Sequence, residues 1–145
     1  MRLSLYTDLS LRALMYLATN ESGPPASTLR IAAQYGVSLH HLQKAVQGLR
    51  RLGYVSSLPG RRGGLRLAVP AASLKIGAVV AALESSGCLV DCRRGPCPLA
   101  GACLLKGALD RAERAFFAAL DDVTLADVVR GPTARTLRRM IAQAA

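Results

Sequence analysis

The sequence has no run of about 18 uninterrupted apolar residues, so a membrane-spanning helix is not expected. Its opening, Met1-Arg2-Leu3-Ser4 followed by a charge at Asp8, lacks the apolar stretch of a secretory signal. A cytoplasmic protein with reduced thiols is the expectation, and grouped cysteines are then read as ligands before disulfides. Internal repeats and low-complexity tracts are missing. So are a nucleophile–base pattern, a phosphate-binding loop and a dinucleotide fingerprint, and no enzymatic activity is expected.

Acidic residues are also scarce. Nine Asp/Glu stand against 19 Lys/Arg, a net charge of +10. The excess is uneven: residues 1–66 hold nine basic residues against Asp8 and Glu21, and the remainder holds ten against seven. A basic N-terminal half suits a polyanion such as DNA, because each neutralised phosphate releases counterions. The apolar fraction of 51% across 145 residues is ample for a folded core.

Leu9, Ala13 and Leu17 repeat every fourth residue, with Leu14 and Ala18 beside them, which predicts a first helix over 4–20. Gly23-Pro24-Pro25 ends it. A short second helix follows over 28–35, capped by Ser27 or Thr28. Gly36 makes a tight turn, and Ser38 caps a third helix. Leu39, Leu42, Val46 and Leu49 form its inner stripe, while His40, Gln43, Lys44, Gln47 and Arg51 face outward with His41 and Arg50 at the margins. Two short helices joined by a glycine turn, the second basic on its outer side, form a helix-turn-helix pattern.

Strands over 54–58 and 65–69 flank Pro59-Gly60-Arg61-Arg62-Gly63-Gly64. A hairpin directly after a recognition helix reads as a wing. A fourth helix is predicted over 73–84. A long helix over about 101–120 carries the seam Leu105, Leu109, Ala112, Phe116 and Ala119, spaced as in a coiled coil and assigned to a homodimer contact. Shorter helices over 124–130 and 133–143 are split by Gly131-Pro132. The expected fold is mainly α with a small β-hairpin. Residues 1–70 form a winged helix-turn-helix domain, with contributions from the C-terminal helices. Residues 71–145 hold a cysteine loop (88–103), the dimerisation helix and the C-terminal helices.

All four cysteines lie within sixteen residues: Cys88, Cys92, Cys97 and Cys103. The last three, with four and five residues between them, can wrap a compact inorganic core, and Arg93 and Arg94 offset the negative charge of a cluster. Zinc and disulfide chemistry stay open as alternatives, although the close C-x-x-C pair common in structural zinc sites is missing. Cys88, beside Leu89 and Val90, reads either as a small buried residue or as a further ligand.

Several motifs in combination resemble a family of bacterial winged-helix regulators, the one containing IscR and NsrR. They are Tyr6-Thr7-Asp8-Leu9-Ser10-Leu11-Arg12-Ala13-Leu14, Val90-Asp91-Cys92, Cys97-Pro98-Leu99, Gly101-Ala102-Cys103-Leu104, Phe116-Phe117-Ala118-Ala119-Leu120-Asp121 and Thr124-Leu125-Ala126-Asp127-Val128-Val129. Within the family the resemblance is to the nitric-oxide-sensing repressors, and it covers the chain from Met1 to about Val129. It implies a 4Fe–4S cluster in each subunit, held by Cys92, Cys97 and Cys103, with Asp8 supplied by the partner subunit. IscR-type members place a histidine three residues after the last cysteine, and here that position is Lys106.

The resulting expectation is a homodimeric repressor that binds a roughly palindromic double-stranded operator and releases it when nitric oxide attacks the cluster. Candidate base contacts are His40, Gln43 and Lys44. Ser38, Arg50 and Arg51 are candidate phosphate contacts. Thr28, His41 and the wing residues Arg61, Arg62, Gly63 and Gly64 complete the expected DNA surface. The rivals are a sibling regulator reading iron–sulfur or redox status through a 2Fe–2S cluster, and a small iron–sulfur electron carrier.

Overall fold

Ser4 begins the first helix, α1 (Leu5–Thr19). Its hydroxyl accepts from the Thr7 amide at 3.2 Å, satisfying one of the donors that a helix start leaves unpaired. The structure is a computed structural model describing residues 2–60, 62–84, 89–90, 92 and 95–143. The candidate residues Arg61 and Cys88 lie outside the described residues, as do Arg93 and Arg94. Leu9, Ala13, Leu14, Tyr16 and Leu17 of α1 are buried and form the axis of the core.

Ser27, rather than Thr28, caps α2 (Thr28–Tyr35), accepting from the Arg30 amide. Gly36 ends that helix at φ +62°, a left-handed conformation that glycine enters without a Cβ clash. Ser38 caps α3 (Leu39–Arg51). Leu42, Ala45, Val46, Gly48 and Leu49 are its buried residues, and Leu39 packs partly buried against the core. The inner stripe is as the spacing predicts, widened by Ala45 and Gly48.

Strands β1 (Val55–Leu58) and β2 (Gly64–Leu67) pair antiparallel, from Val55 opposite Leu67 to Leu58 opposite Gly64. Leu65 is tied back to Ala26 by two backbone hydrogen bonds of 3.2 and 2.8 Å, which fixes the hairpin to the loop before α2. The mainly helical winged helix-turn-helix expected from the sequence is the fold observed.

The fourth helix is shorter than the periodicity suggests. A 3₁₀ turn (Ala71–Ser73) precedes α4 (Ile76–Leu83), with Leu74 and Lys75 extended between them. Those two residues are held out of the helix by the C-terminal part of the chain. The Ile76 amide donates to Val123 and the Leu125 amide to Leu74, at 2.9 and 2.7 Å. Helix α5 (Leu104–Asp121) packs on α4, where Gly77 leaves room for Asp121 and the Phe117 carbonyl. Thr124 and Asp127 form a capping box around the short α6 (Leu125–Val128). Gly131 and Pro132 open α7 (Gly131–Ala142) instead of separating it from its predecessor. Proline is tolerated in a first turn because the amide it lacks has no helical partner there. Among the described residues, no helix is long and apolar enough to cross a membrane.

Candidate metal centre and nucleic-acid interface

Cys92, Cys97 and Cys103 are free thiols, each half-buried, and line one cavity of about 390 Å³ with Lys106 and Asp110. Cys103 occupies the N-cap of α5, and its sulfur accepts from the Lys106 amide at 3.4 Å. The positive end of an 18-residue helix therefore faces the thiol group, a favourable placement for anionic sulfur. Lys106 and Asp110 follow on the same face at the helical spacing. The Lys106 ammonium donates to both Asp110 oxygens at 2.7 Å. Among the described residues, no three His, Cys, Asp or Glu donors converge closely enough to share one ion. Three thiols distributed around a cavity of this size fit a compact polynuclear core as their occupant, given the affinity of thiolate sulfur for iron–sulfur clusters.

Asp8 does not line that cavity within its own chain. It sits in the first turn of α1 and is gripped by Arg12 one turn later, with Nε to Oδ1 at 3.0 Å and Nη2 to Oδ2 at 2.8 Å. The Arg12 guanidinium also lies 6.0 Å from the centre of the Tyr35 ring. The Tyr35 hydroxyl donates to the Arg12 carbonyl at 3.1 Å. Burial pushes the Tyr35 phenol up to about 12, against the opposing pull of Arg12. The carboxylate of Asp8 is thus linked through Arg12 to the last residue of α2.

The DNA-facing candidates fall on one side of α3. His40, His41, Gln43, Lys44, Arg50 and Arg51 are all exposed. Ser38 is exposed too, although its hydroxyl is engaged by the His41 amide at 3.4 Å. Thr28 is half-buried at the start of α2. On the wing Arg62 is exposed. Gly63 and Gly64 have internal reasons to be glycine: a Cβ at Gly63 would strike the Leu58 carbonyl, and Gly64, at φ +154°, presses on the backbone of Pro25 and Ala26. The turn chemistry explains these two glycines without any DNA contact.

Four residues make contacts that a reading of motifs does not give. Tyr6, two residues before Asp8, places its hydroxyl against Gly48 of α3. Glu84, at the end of α4, accepts from the Ser4 amide at 2.8 Å, joining the root of the cysteine loop to the start of α1. Burial pushes the Glu84 carboxyl up, but hydrogen bonds from Thr7 and Ser4 outweigh it and hold the group below the usual range. Arg30 of α2 donates to the Ile141 carbonyl at 3.1 Å, and Gln34 to the Met140 carbonyl at 2.8 Å, so α2 caps the end of α7. The pairs Asp8/Arg12 and Lys106/Asp110, by contrast, carry a sequence signal, the i, i+4 spacing of opposite charges.

Helix α5 has no buried residue along its 18 positions. Of the predicted seam, Leu105 is 67% exposed and Ala112 and Ala119 are exposed as well. Leu109 and Phe116 of the same seam are half-buried.

The sequence pattern of the Rrf2 family, described as "Iron-dependent Transcriptional regulator", matches residues 3–131. The chain is 44% identical over 139 residues to the HTH-type transcriptional repressor NsrR of Streptomyces coelicolor, covering 94% of each chain. Among solved structures, it is similar to T. potens IscR, with a TM-score of 0.73 and 26% identity over 89% of this chain and 86% of that one. It is also similar to CymR, the global cysteine regulator of B. subtilis, with a TM-score of 0.72 and 26% identity over 88% and 95% of the two chains.

Proposed function

The chain belongs to the Rrf2 family of transcriptional regulators, and from that premise we propose that it is a homodimeric repressor sensing nitric oxide through a 4Fe–4S cluster. The observation that carries this reading is the lining of one cavity by Cys92, Cys97 and Cys103 at the start of a long helix that has no fully buried residue in the single chain. A transcriptional repressor also accounts for the missing catalytic motifs: the chain is not an enzyme.

Cys92, Cys97 and Cys103 would hold the cluster, and Asp8 of the partner subunit would complete its ligand set. When bound, the cluster supplies iron that reacts with nitric oxide. The chain's own residues do the rest. Cys103 sets one sulfur at the N-terminus of α5, and the exposed seam of α5 meets its copy across the dimer. Asp8 lies on the same turn of α1 as Tyr6, which rests on α3 at Gly48. A displacement of α1 on ligation of Asp8 would reach the recognition helix through the Tyr6–Gly48 contact. His40, Gln43 and Lys44 face base edges in the major groove, with His41 beside them. Thr28, Ser38, Arg50 and Arg51 meet phosphates, and the wing, with Arg61, Arg62, Gly63 and Gly64, reaches the adjacent minor groove of a roughly palindromic operator. The protein acts in the cytoplasm, where thiols stay reduced.

Anaerobic native mass spectrometry, before and after addition of nitric oxide, tests the reading. The expected result is a dimer carrying four irons and four sulfides per subunit, converted by the gas to nitrosylated species that no longer shift operator DNA. Zinc, or a 2Fe–2S cluster indifferent to nitric oxide, would overturn the sensing claim and leave the Rrf2 regulator in place.

A further inference from the structure

The cysteine cavity contains a carboxylate of its own chain that the proposed ligand set does not use. Cys103, Lys106 and Asp110 follow one another along one face of α5, at positions i, i+3 and i+7, and all three line the cavity. Asp110 lies two helical turns beyond Cys103 on the same side of α5, and its side chain meets Lys106 one turn back. Lys106 stands between them. Its ammonium bonds both Asp110 oxygens at 2.7 Å, and both side chains are 32% exposed. Arg12 holds both oxygens of Asp8 in the same way, but that pair is 42% exposed against 32% here, and the more buried pair resists separation more.

We infer that Asp110 is a latent fourth ligand of the cysteine site, kept from the cluster by Lys106, so that the fourth ligand must come from elsewhere. The inference rests on the reading of Cys92, Cys97, Cys103 and the partner subunit's Asp8 as the working ligand set. An aspartate oxygen is a competent iron ligand wherever it is placed, and exchanging one carboxylate for another leaves the charge of the site unchanged. What Lys106 controls is the choice. With its cation in place the site depends on a second subunit, and the cluster reports on the dimer; without it, the site closes within one chain.

The test is a suppressor experiment on the full-length protein, reconstituted anaerobically with iron and sulfide. The readouts are iron per subunit and visible absorbance after gel filtration. Asp8→Ala alone is expected to lose most of its cluster. Asp8→Ala with Lys106→Met is expected to regain it to near the wild-type level, and adding Asp110→Asn is expected to abolish the gain. Lys106→Arg, which keeps the ion pair, should give no rescue in the Asp8→Ala background. Lys106→Gln serves as a second release variant should the methionine disturb folding, with circular dichroism as the check. A folded double variant that regains nothing overturns the inference while leaving the Asp8 reading intact. A gain that survives Asp110→Asn also overturns it. An undiminished cluster in Asp8→Ala alone overturns the underlying ligand set, and the inference with it.

Discussion

The hydroxyl of Tyr6 occupies the space that a side chain on Gly48 would need, so α1 and the recognition helix meet at a point where only glycine fits. Gly48→Ala is expected to destabilise the fold by about 1–3 kcal/mol through overpacking. Tyr6→Phe removes the clashing oxygen, and the double variant should recover part of the loss. Urea denaturation of the four proteins measures the coupling; strictly additive effects would show that the two residues do not compete for one space.

The Glu84–Ser4 contact makes an acid-sensitive seam. The folded carboxyl is held below its ordinary value of 4.5, so its contribution to stability is complete above that pH. It declines as pH falls through the depressed folded value. Wild type is therefore expected to melt higher than Glu84→Gln at pH 7, and the gap should close progressively below about pH 4. A gap of constant size down to strong acid would remove the carboxylate charge from the explanation.

On the DNA surface, charge and base readout separate by their salt dependence. Replacing Arg51 or Arg62 by Ala should reduce the slope of log binding constant against log salt by about 0.9 for each phosphate no longer neutralised. Lys44→Ala, if Lys44 reads a base edge, should instead relax preference among operator sequences. Fluorescence anisotropy over a salt series, with operator and scrambled duplexes, distinguishes the two behaviours. Unchanged slopes would remove Arg51 from the phosphate-binding set and Arg62 from the wing contact.

Helix α7 packs on α1, and its C-terminal end is tied down by Arg30 and Gln34 of α2. Arg30→Ala leaves the Ile141 carbonyl without its charged donor and should cost about 1.5–3 kcal/mol. Hydrogen exchange should rise first in residues 134–141, ahead of α1. Uniform protection loss across the chain would mean that α7 is not a separable unit.

Local pattern carries most of the fold. The apolar stripes of α1 and α3, the serine caps and the turn glycines each express a rule acting over a few residues, and each is readable in order along the chain. The start of α4 departs from its periodicity for a non-local reason. Leu74 and Lys75 look helical by composition but are extended, because Val123 and Leu125 engage backbone groups of Ile76 and Leu74 from nearly fifty residues away. The wing glycines are readable as a turn, whereas the pressure of Gly64 on Ala26 is not.

The candidate site divides the same way. Sequence alone determined the inventory: three closely spaced cysteines, a basic outer face on the third helix, an arginine-bearing wing and an apolar seam on a long helix. Spacing and residue type suffice for these, since they follow from covalent order and helical period. Only the tertiary structure decided which of these groups are engaged and with what. It set Asp110 in the lining of the thiol cavity, brought the Tyr6 hydroxyl against Gly48, and brought Glu84 to Ser4 across eighty residues. Electrostatic pairing and steric contact depend on distance in space, and chain order constrains that distance only within a helical turn or two.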